Sequence, residues 1–179
     1  MKITLGGRAG SGKSAVGKKL SEMFHLKHYS TGDLFRILGM EKGYTVEEFS
    51  KIRAEEIDTL VDNWAEKIGK SEDNFVMDSR LAFHFIPDAI KIFLDVSYEE
   101  GARRIFLKPR ASEKKVESAE GLAKINRERW ETDRKRYLEM YGIDVDDLRN
   151  YDVYIDSTGK KIDEVITELC RAVPALRKA

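Results

Sequence analysis

The 179 residues carry 32 Lys/Arg against 32 Asp/Glu, a net charge of zero, and 41% of them are hydrophobic. That length supports one domain with a real core, and the balanced charge argues against a general nucleic-acid coat, which shows as a basic excess. The single cysteine, Cys170, excludes an internal disulfide and fits a reducing compartment. It falls in the apolar pattern of the last helix and reads as core filler. No apolar run is long enough to cross a bilayer, so the expectation is a cytoplasmic protein with no signal peptide and no membrane partner.

Taken in order, Lys2-Ile3-Thr4-Leu5 is short, β-branched and apolar, the signature of a buried strand. Gly7-Arg8-Ala9-Gly10-Ser11-Gly12-Lys13-Ser14 then fits G-x-x-x-x-G-K-[ST] without a mismatch. Lys13 to Phe24 carries Val16, Leu20 and Phe24 at helical period. Strand, glycine loop and helix in this order build an anion cradle. Glycines let the backbone turn its N–H groups inward at the positive end of a helix dipole. Lys13 would neutralise the outer phosphates of a polyphosphate, and the Ser14 hydroxyl would complete the shell of a bound magnesium.

Lys27-His28-Tyr29 is a strand candidate, and Thr31 can cap a helix beginning near Asp33, with Gly39 and Gly43 breaking or ending it. Thr45-Val46-Glu47-Glu48 has the form of a capping box opening a helical region to Gly69. Asn74 to Asp78 and Ala89 to Leu94 are buried strands. Helices follow at Ser97 to Leu107, stopped by Pro109, and at Ser118 to Tyr141. A last strand spans Tyr151 to Asp156 and a last helix Lys161 to Val173. Strands alternating with helices after a glycine loop imply an α/β fold, a five-stranded parallel sheet sandwiched by helices.

Three further constellations carry chemistry. Asp78 ends a strand beside the glycine loop, where a carboxylate can hold magnesium through water, and Arg80 two residues on can reach a second phosphate. Thr31-Gly32-Asp33-Leu34-Phe35-Arg36 places a hydroxyl and a cation at the start of one helix, with Arg36 suited to clamp an acceptor monophosphate. Arg129, Asp133 and Arg136 share one helix face; they are either a salt-bridge ladder or two phosphate-binding arginines with a carboxylate for a ribose hydroxyl. Arg134 faces elsewhere, toward a lid. Between residues 102 and 136, 12 Lys/Arg face 6 Asp/Glu, while residues 41 to 78 carry 11 acidic against 5 basic. The basic stretch fits a lid over phosphates. Together these features point to phosphoryl transfer between two phosphorylated small molecules, chemistry that needs alignment and charge neutralisation more than a general base.

On Gly7 to Ser14, Ser30 to Arg36, Asp78-Ser79-Arg80, Ile92 to Asp95 and Arg129 to Arg136, the chain resembles the nucleoside monophosphate kinases, specifically cytidylate kinases of the archaeal type. The resemblance implies a P-loop kinase fold with a core of residues 1–38, 72–106 and 118–179, an acceptor-binding insert at 39–71 and a lid at 107–117. It implies ATP and Mg2+ as cofactors, and transfer from ATP to CMP or dCMP by a single-domain monomer. Gly7, Arg8, Ala9, Gly10, Ser11, Gly12, Lys13, Ser14 and Ala15 would hold ATP, and Arg104 would approach it as the lid closes. Ser157-Thr158-Gly159-Lys160 would border adenine. Thr31 would sit near the acceptor base; Arg36, Arg80, Arg129 and Arg136 would bind acceptor phosphate, and Asp133 its sugar. Lys13, Arg80, Arg129 and Arg136 would be the catalytic cations, and Ser14 and Asp78 the metal ligands. Two departures stand out. Ser79 stands where the family motif often has glycine; and, against the longer bacterial cytidylate kinases, Leu81 follows Arg80 where they have a base-reading Asp, and the insert helix offers Asp58 and Asp62 where they have a base-reading Arg. AMP, UMP or another small phosphorylated acceptor is the alternative substrate. A nucleotide-dependent module on nucleic acid is the non-enzymatic alternative. A guanine-reading Asn/Thr-Lys-x-Asp segment is absent from the sequence.

Overall fold

The computed structural model describes residues 1–44, 49, 55–109 and 116–177. The strands are β1 (Lys2–Gly7), β2 (Lys27–Ser30), β3 (Phe75–Asp78), β4 (Ile90–Asp95) and β5 (Val153–Asp156). All pair in parallel, in the order β2-β3-β1-β4-β5. The helices are α1 (Lys13–Phe24), α2 (Thr31–Glu41), α3 (Glu55–Ser71), α4 (Ala82–Phe85), α5 (Tyr98–Leu107), α6 (Ala119–Tyr141) and α7 (Ile162–Ala172).

Because side chains alternate across a strand, each central strand feeds both faces of the sheet. Ile3, Leu5, Val76, Ile92 and Leu94 pack with Val16 and Leu20 of α1 and with Val165, Ile166 and Leu169 of α7. On other packing layers, Phe75 and Met77 meet Ala65 of α3, and Phe93 meets Trp130 and Tyr137 of α6. Burial on both faces explains why these strands read as near-continuous apolar runs. Cys170 is half-buried against the α1–α7 layer.

The register gathers the chemistry at one edge. Leu5 pairs with Asp78, Asp78 with Ser30, and Gly7 with Leu94. The chain leaves β1 on one side for β2 and β3 and crosses to the other for β4. The carboxyl end of β1 therefore lies where the strand order reverses, the place at which open α/β sheets take ligands.

Local expectations needed correction at two points. Ser30, not Thr31, caps α2, accepting a hydrogen bond from the Asp33 N–H at 3.2 Å, so Thr31 is the first helical residue. Gly39 does not break that helix. It lies inside it with the Phe49 ring against it, where an added Cβ would sit 3.2 Å from the ring, and the chain turns only at Gly43. The Thr45 capping box lies outside the described residues. Ser97 and Ser118 cap α5 and α6, each accepting a backbone N–H three residues on. The short helix α4 has no counterpart in the sequence reading, since four residues carry no periodicity.

Candidate active site

The loop between β1 and α1 is held in shape by close approach. Gly7 has φ +126°, and a Cβ there would stand 1.9 Å from the Leu94 carbonyl oxygen. Gly10 has φ +78°, and a Cβ there would meet the Gly101 carbonyl oxygen at 2.3 Å. Only glycine combines that backbone with that clearance. Lys13 Nζ donates to the Arg8 carbonyl at 2.7 Å, which folds the lysine back over the loop. Ser11 is buried.

Ser14 Oγ donates to Asp78 Oδ2 at 2.5 Å. Asp78 is 7% exposed, at the end of β3 beside the loop, so a hydroxyl and a carboxylate stand together at the loop's edge. This oxygen pair fits the chemistry of a hard divalent cation. Among the described residues no group of three or more His, Cys, Asp or Glu is clustered as a metal site.

Arg8 and Arg104 brace the loop rather than project from it. The Arg8 guanidinium bonds Asp95 and reaches Asp146 at 3.5 Å, and it lies over the rings of Tyr98 and Trp130 at 5.2 and 5.6 Å. Burial works against its charge, but Asp95 more than offsets this and its pKa is raised. Arg104 donates to the carbonyls of Gly10 at 3.3 Å, Ser157 at 2.7 Å and Lys160 at 3.2 Å, and is steadied by Glu100 at 2.8 Å. It joins the glycine loop to the segment 157–160 after β5. Ser157 Oγ adds a bond to the Ser11 carbonyl at 3.0 Å.

Next to the loop, immediately after Asp78, opens a small cavity. Arg36 of α2, Arg80 and Arg129 of α6 line it, with Thr31 and Ser79. Phe35, Val61, Leu81 and Tyr137 supply its apolar wall, and Asp62 its only carboxylate among the described residues. Thr31 Oγ1 donates to the Asp78 carbonyl at 3.4 Å, tying the start of α2 to the end of β3. Three guanidiniums from three separate segments thus face one cavity.

Asp133 is placed beneath the arginines. It is 1% exposed, and it accepts from Arg80 at 2.6 Å and from Arg136 at 2.6 Å. Arg136 also pairs through Nε with Asp58, itself 2% exposed, at 2.9 Å. Burial lowers the pKa of both guanidiniums and the charge of Asp133 reverses that, so each stays protonated with a pKa above its ordinary value. The spacing of Arg129, Asp133 and Arg136 does put them along one helix, with Asp133 paired to Arg80 and Arg136. Arg134 is bound by Asp144 at 2.7 and 2.6 Å.

The sequence reading gave no role to Asp58 or Asp62, nor to the wall of Phe35, Val61, Leu81 and Tyr137. The acidic pair sits at i, i+4 on α3, which puts both carboxylates on one helix face. That spacing was the available signal; which partners they meet is a tertiary fact.

A parallel sheet in this order, with a glycine loop at the carboxyl end of β1 and a cation-lined cavity beside it, defines a P-loop phosphotransferase. Comparison with known proteins agrees. Residues 3–131 match the family model described as "AAA domain". A cytidylate kinase of Archaeoglobus fulgidus is 35% identical over 97% of this chain and 94% of that protein. An S-adenosylmethionine-dependent nucleotide dehydratase of Lacinutrix mariniflava is 38% identical over 92% of this chain, which spans 34% of that longer protein. Among solved structures, shikimate kinase from Bacteroides thetaiotaomicron superposes with a TM-score of 0.66 at 16% identity, over 96% of this chain and 97% of that one. The chain belongs to the P-loop kinases of the AAA-domain family, in the nucleoside monophosphate kinase branch that holds the archaeal cytidylate kinases. No described helix is long and apolar enough to cross a membrane.

Proposed function

We propose that the protein transfers the γ-phosphate of ATP to CMP or dCMP. The observation that carries this reading is the adjacency at the end of β3. Asp78 meets Ser14 of the glycine loop, and Ser79 and Arg80, the next two residues, already line the arginine cavity. A triphosphate in the loop and a monophosphate among Arg36, Arg80 and Arg129 would lie on either side of one strand end. Alignment of two anions is most of what phosphoryl transfer asks of a protein.

In this reading the amides of Gly7 to Ala15 bind the triphosphate, and Lys13 leaves the Arg8 carbonyl to neutralise its outer phosphates. Arg104 keeps the Gly10 segment in register with residues 157–160, which border the adenine. Ser14 directly, and Asp78 through water, would hold Mg2+, which supplies charge neutralisation on the transferring group. Arg36, Arg80 and Arg129 grip the acceptor phosphate, and Arg136 is set by Asp58 and Asp133 to join them. The acceptor oxygen is already anionic, so no side chain has to remove a proton. Exclusion of water in this reading falls to the insert at 39–71, to which α3 belongs, and the lid at 107–117, of which residues 45–48, 50–54 and 110–115 lie outside the described residues.

A phosphorylated nucleotide acceptor suits this cavity better than an unphosphorylated one. Three guanidiniums lining one cavity suit an anionic acceptor group, and the apolar wall suits a planar base. The S-adenosylmethionine-dependent nucleotide dehydratase of Lacinutrix mariniflava, which shares this segment, supports a nucleotide acceptor. The test is a coupled assay with ATP and Mg2+ across CMP, dCMP, UMP, AMP, shikimate and gluconate. CMP or dCMP is expected to exceed every other acceptor at least tenfold in kcat/KM, a margin a hydrogen-bonding base site can supply. No turnover of any monophosphate, or a preference for an unphosphorylated acceptor, would overturn the proposal.

A further inference from the structure

We infer that Asp62 reads the acceptor base, accepting a hydrogen bond from the exocyclic amino group of cytosine and turning uracil away. The inference rests on the nucleoside monophosphate kinase reading above and assigns the specificity of that same site.

The polar groups around the cavity sort by what they can recognise. Arg36, Arg80 and Arg129 are donors only and suit phosphate. The hydroxyls of Thr31 and Ser79 both donate and accept, so they cannot separate an amino group from a carbonyl. Asp62 is the one acceptor-only side chain in the lining among the described residues. Cytosine carries an N4–H2 donor where uracil carries an O4 acceptor. A carboxylate therefore gains a charge-assisted hydrogen bond with the first and sets lone pair against lone pair with the second.

The structure also separates the two acids of α3. Asp58, one turn earlier, is 2% exposed and pairs with Arg136 at 2.9 Å, so it serves the phosphate end. Asp62 is half-buried in the cavity wall beside Val61, and Tyr141 donates its hydroxyl to Asp62 Oδ2 at 2.8 Å. A carboxylate has about four lone-pair positions, so the tyrosine bond fixes its orientation while taking up only one of them. Burial, and then the bond to Asp62, raise the Tyr141 pKa, which keeps that hydroxyl a donor throughout the working pH range. Tyr141 is thus the positioning residue for the reader. An acid on the insert helix takes the task that Leu81, following Arg80, cannot perform.

The experiment measures kcat/KM for CMP, UMP and the 4-deamino pyrimidinone analogue of CMP, which lacks the amino group, on the wild type, Asp62→Asn and Tyr141→Phe. Wild type is expected to favour CMP over both others by at least tenfold. In Asp62→Asn, whose amide can donate to O4, the CMP-to-UMP ratio is expected to fall at least tenfold, with the analogue penalty shrinking in step. Tyr141→Phe moves the ratio the same way by a smaller factor, with kcat for CMP changed less than KM. A wild type that handles the analogue as well as CMP overturns the inference while leaving the kinase reading intact, and needs no variant to fold. An unchanged CMP-to-UMP ratio in a folded Asp62→Asn does the same. A wild type inert toward every monophosphate overturns the kinase reading, and the role of Asp62 with it.

Discussion

Lys13→Ala is expected to lower kcat by about two to three orders of magnitude, the loss typical of removing one charge-stabilising donor from a transition state. The melting temperature should move little. In the absence of nucleotide the ammonium donates to the Arg8 carbonyl at 2.7 Å, near the surface, where water can replace it. A net hydrogen bond of this kind contributes about 1 kcal/mol, and a chain of this size loses about 2–4 °C per kcal/mol. The expected signature is a collapse in turnover with near-normal stability. Retained turnover would show that the lysine does not meet the transferring phosphate. Steady-state kinetics beside a calorimetric scan separate these outcomes.

Asp133→Ala is expected to do both kinds of damage. Its carboxylate is 2% exposed and lies between Arg80 and Arg136 at 2.6 Å each. Removing one partner of a buried ion pair costs about 3–5 kcal/mol. The lower end applies here, because the two guanidiniums retain 22% and 23% exposure and Arg136 keeps Asp58. About 3 kcal/mol corresponds to a fall of roughly 6–12 °C in melting temperature. With the arginines released, kcat/KM should drop more than tenfold. Asp133→Asn keeps the shape and removes the charge, and should fall between the two. The resemblance to the kinases assigns this carboxylate to the acceptor's sugar, and the calorimeter distinguishes the two roles. A residue that only touched sugar would cost affinity and leave the melting temperature where it was.

Much of this fold is readable from short stretches. The run of Lys2 to Ser14 specifies strand, loop and helix together, because the glycines, the apolar strand and the period of Val16, Leu20 and Phe24 all demand the same local geometry. The central strands β1, β3 and β4 are legible because burial on both faces leaves near-continuous apolar runs. Helix ends were less so. Ser30 and Thr31 are both good caps, and which one takes the position depends on where β2 stops pairing with β3 at Asp78. Gly39 reads as a breaker by propensity, yet packing against Phe49 holds it in the helix.

Within the site, residue type was legible and allegiance was not. Arg36, Arg80 and Arg129 could be named from their motifs, and they do line one cavity. The sequence alone could not show that Arg8 lies over the rings of Tyr98 and Trp130, or that Arg104 bonds three backbone carbonyls. Nor could it show that Asp133 lies under the arginines. Each of these depends on contacts between residues tens of positions apart, for which a helical period carries no information. Asp62 is the converse case: its spacing from Asp58 is visible, and its meaning comes from Tyr141, 79 residues away.

The central claim is that one cleft holds a triphosphate and a monophosphate side by side across the end of β3. The most direct measurement is a crystal structure with a bisubstrate analogue joining cytidine to adenosine through a polyphosphate bridge. The account predicts the adenosine-side phosphates against the amides of Gly7 to Ala15 and the cytidine-side phosphate within hydrogen-bond distance of Arg36, Arg80 and Arg129. A cytidine-side phosphate seated away from those three guanidiniums would contradict it.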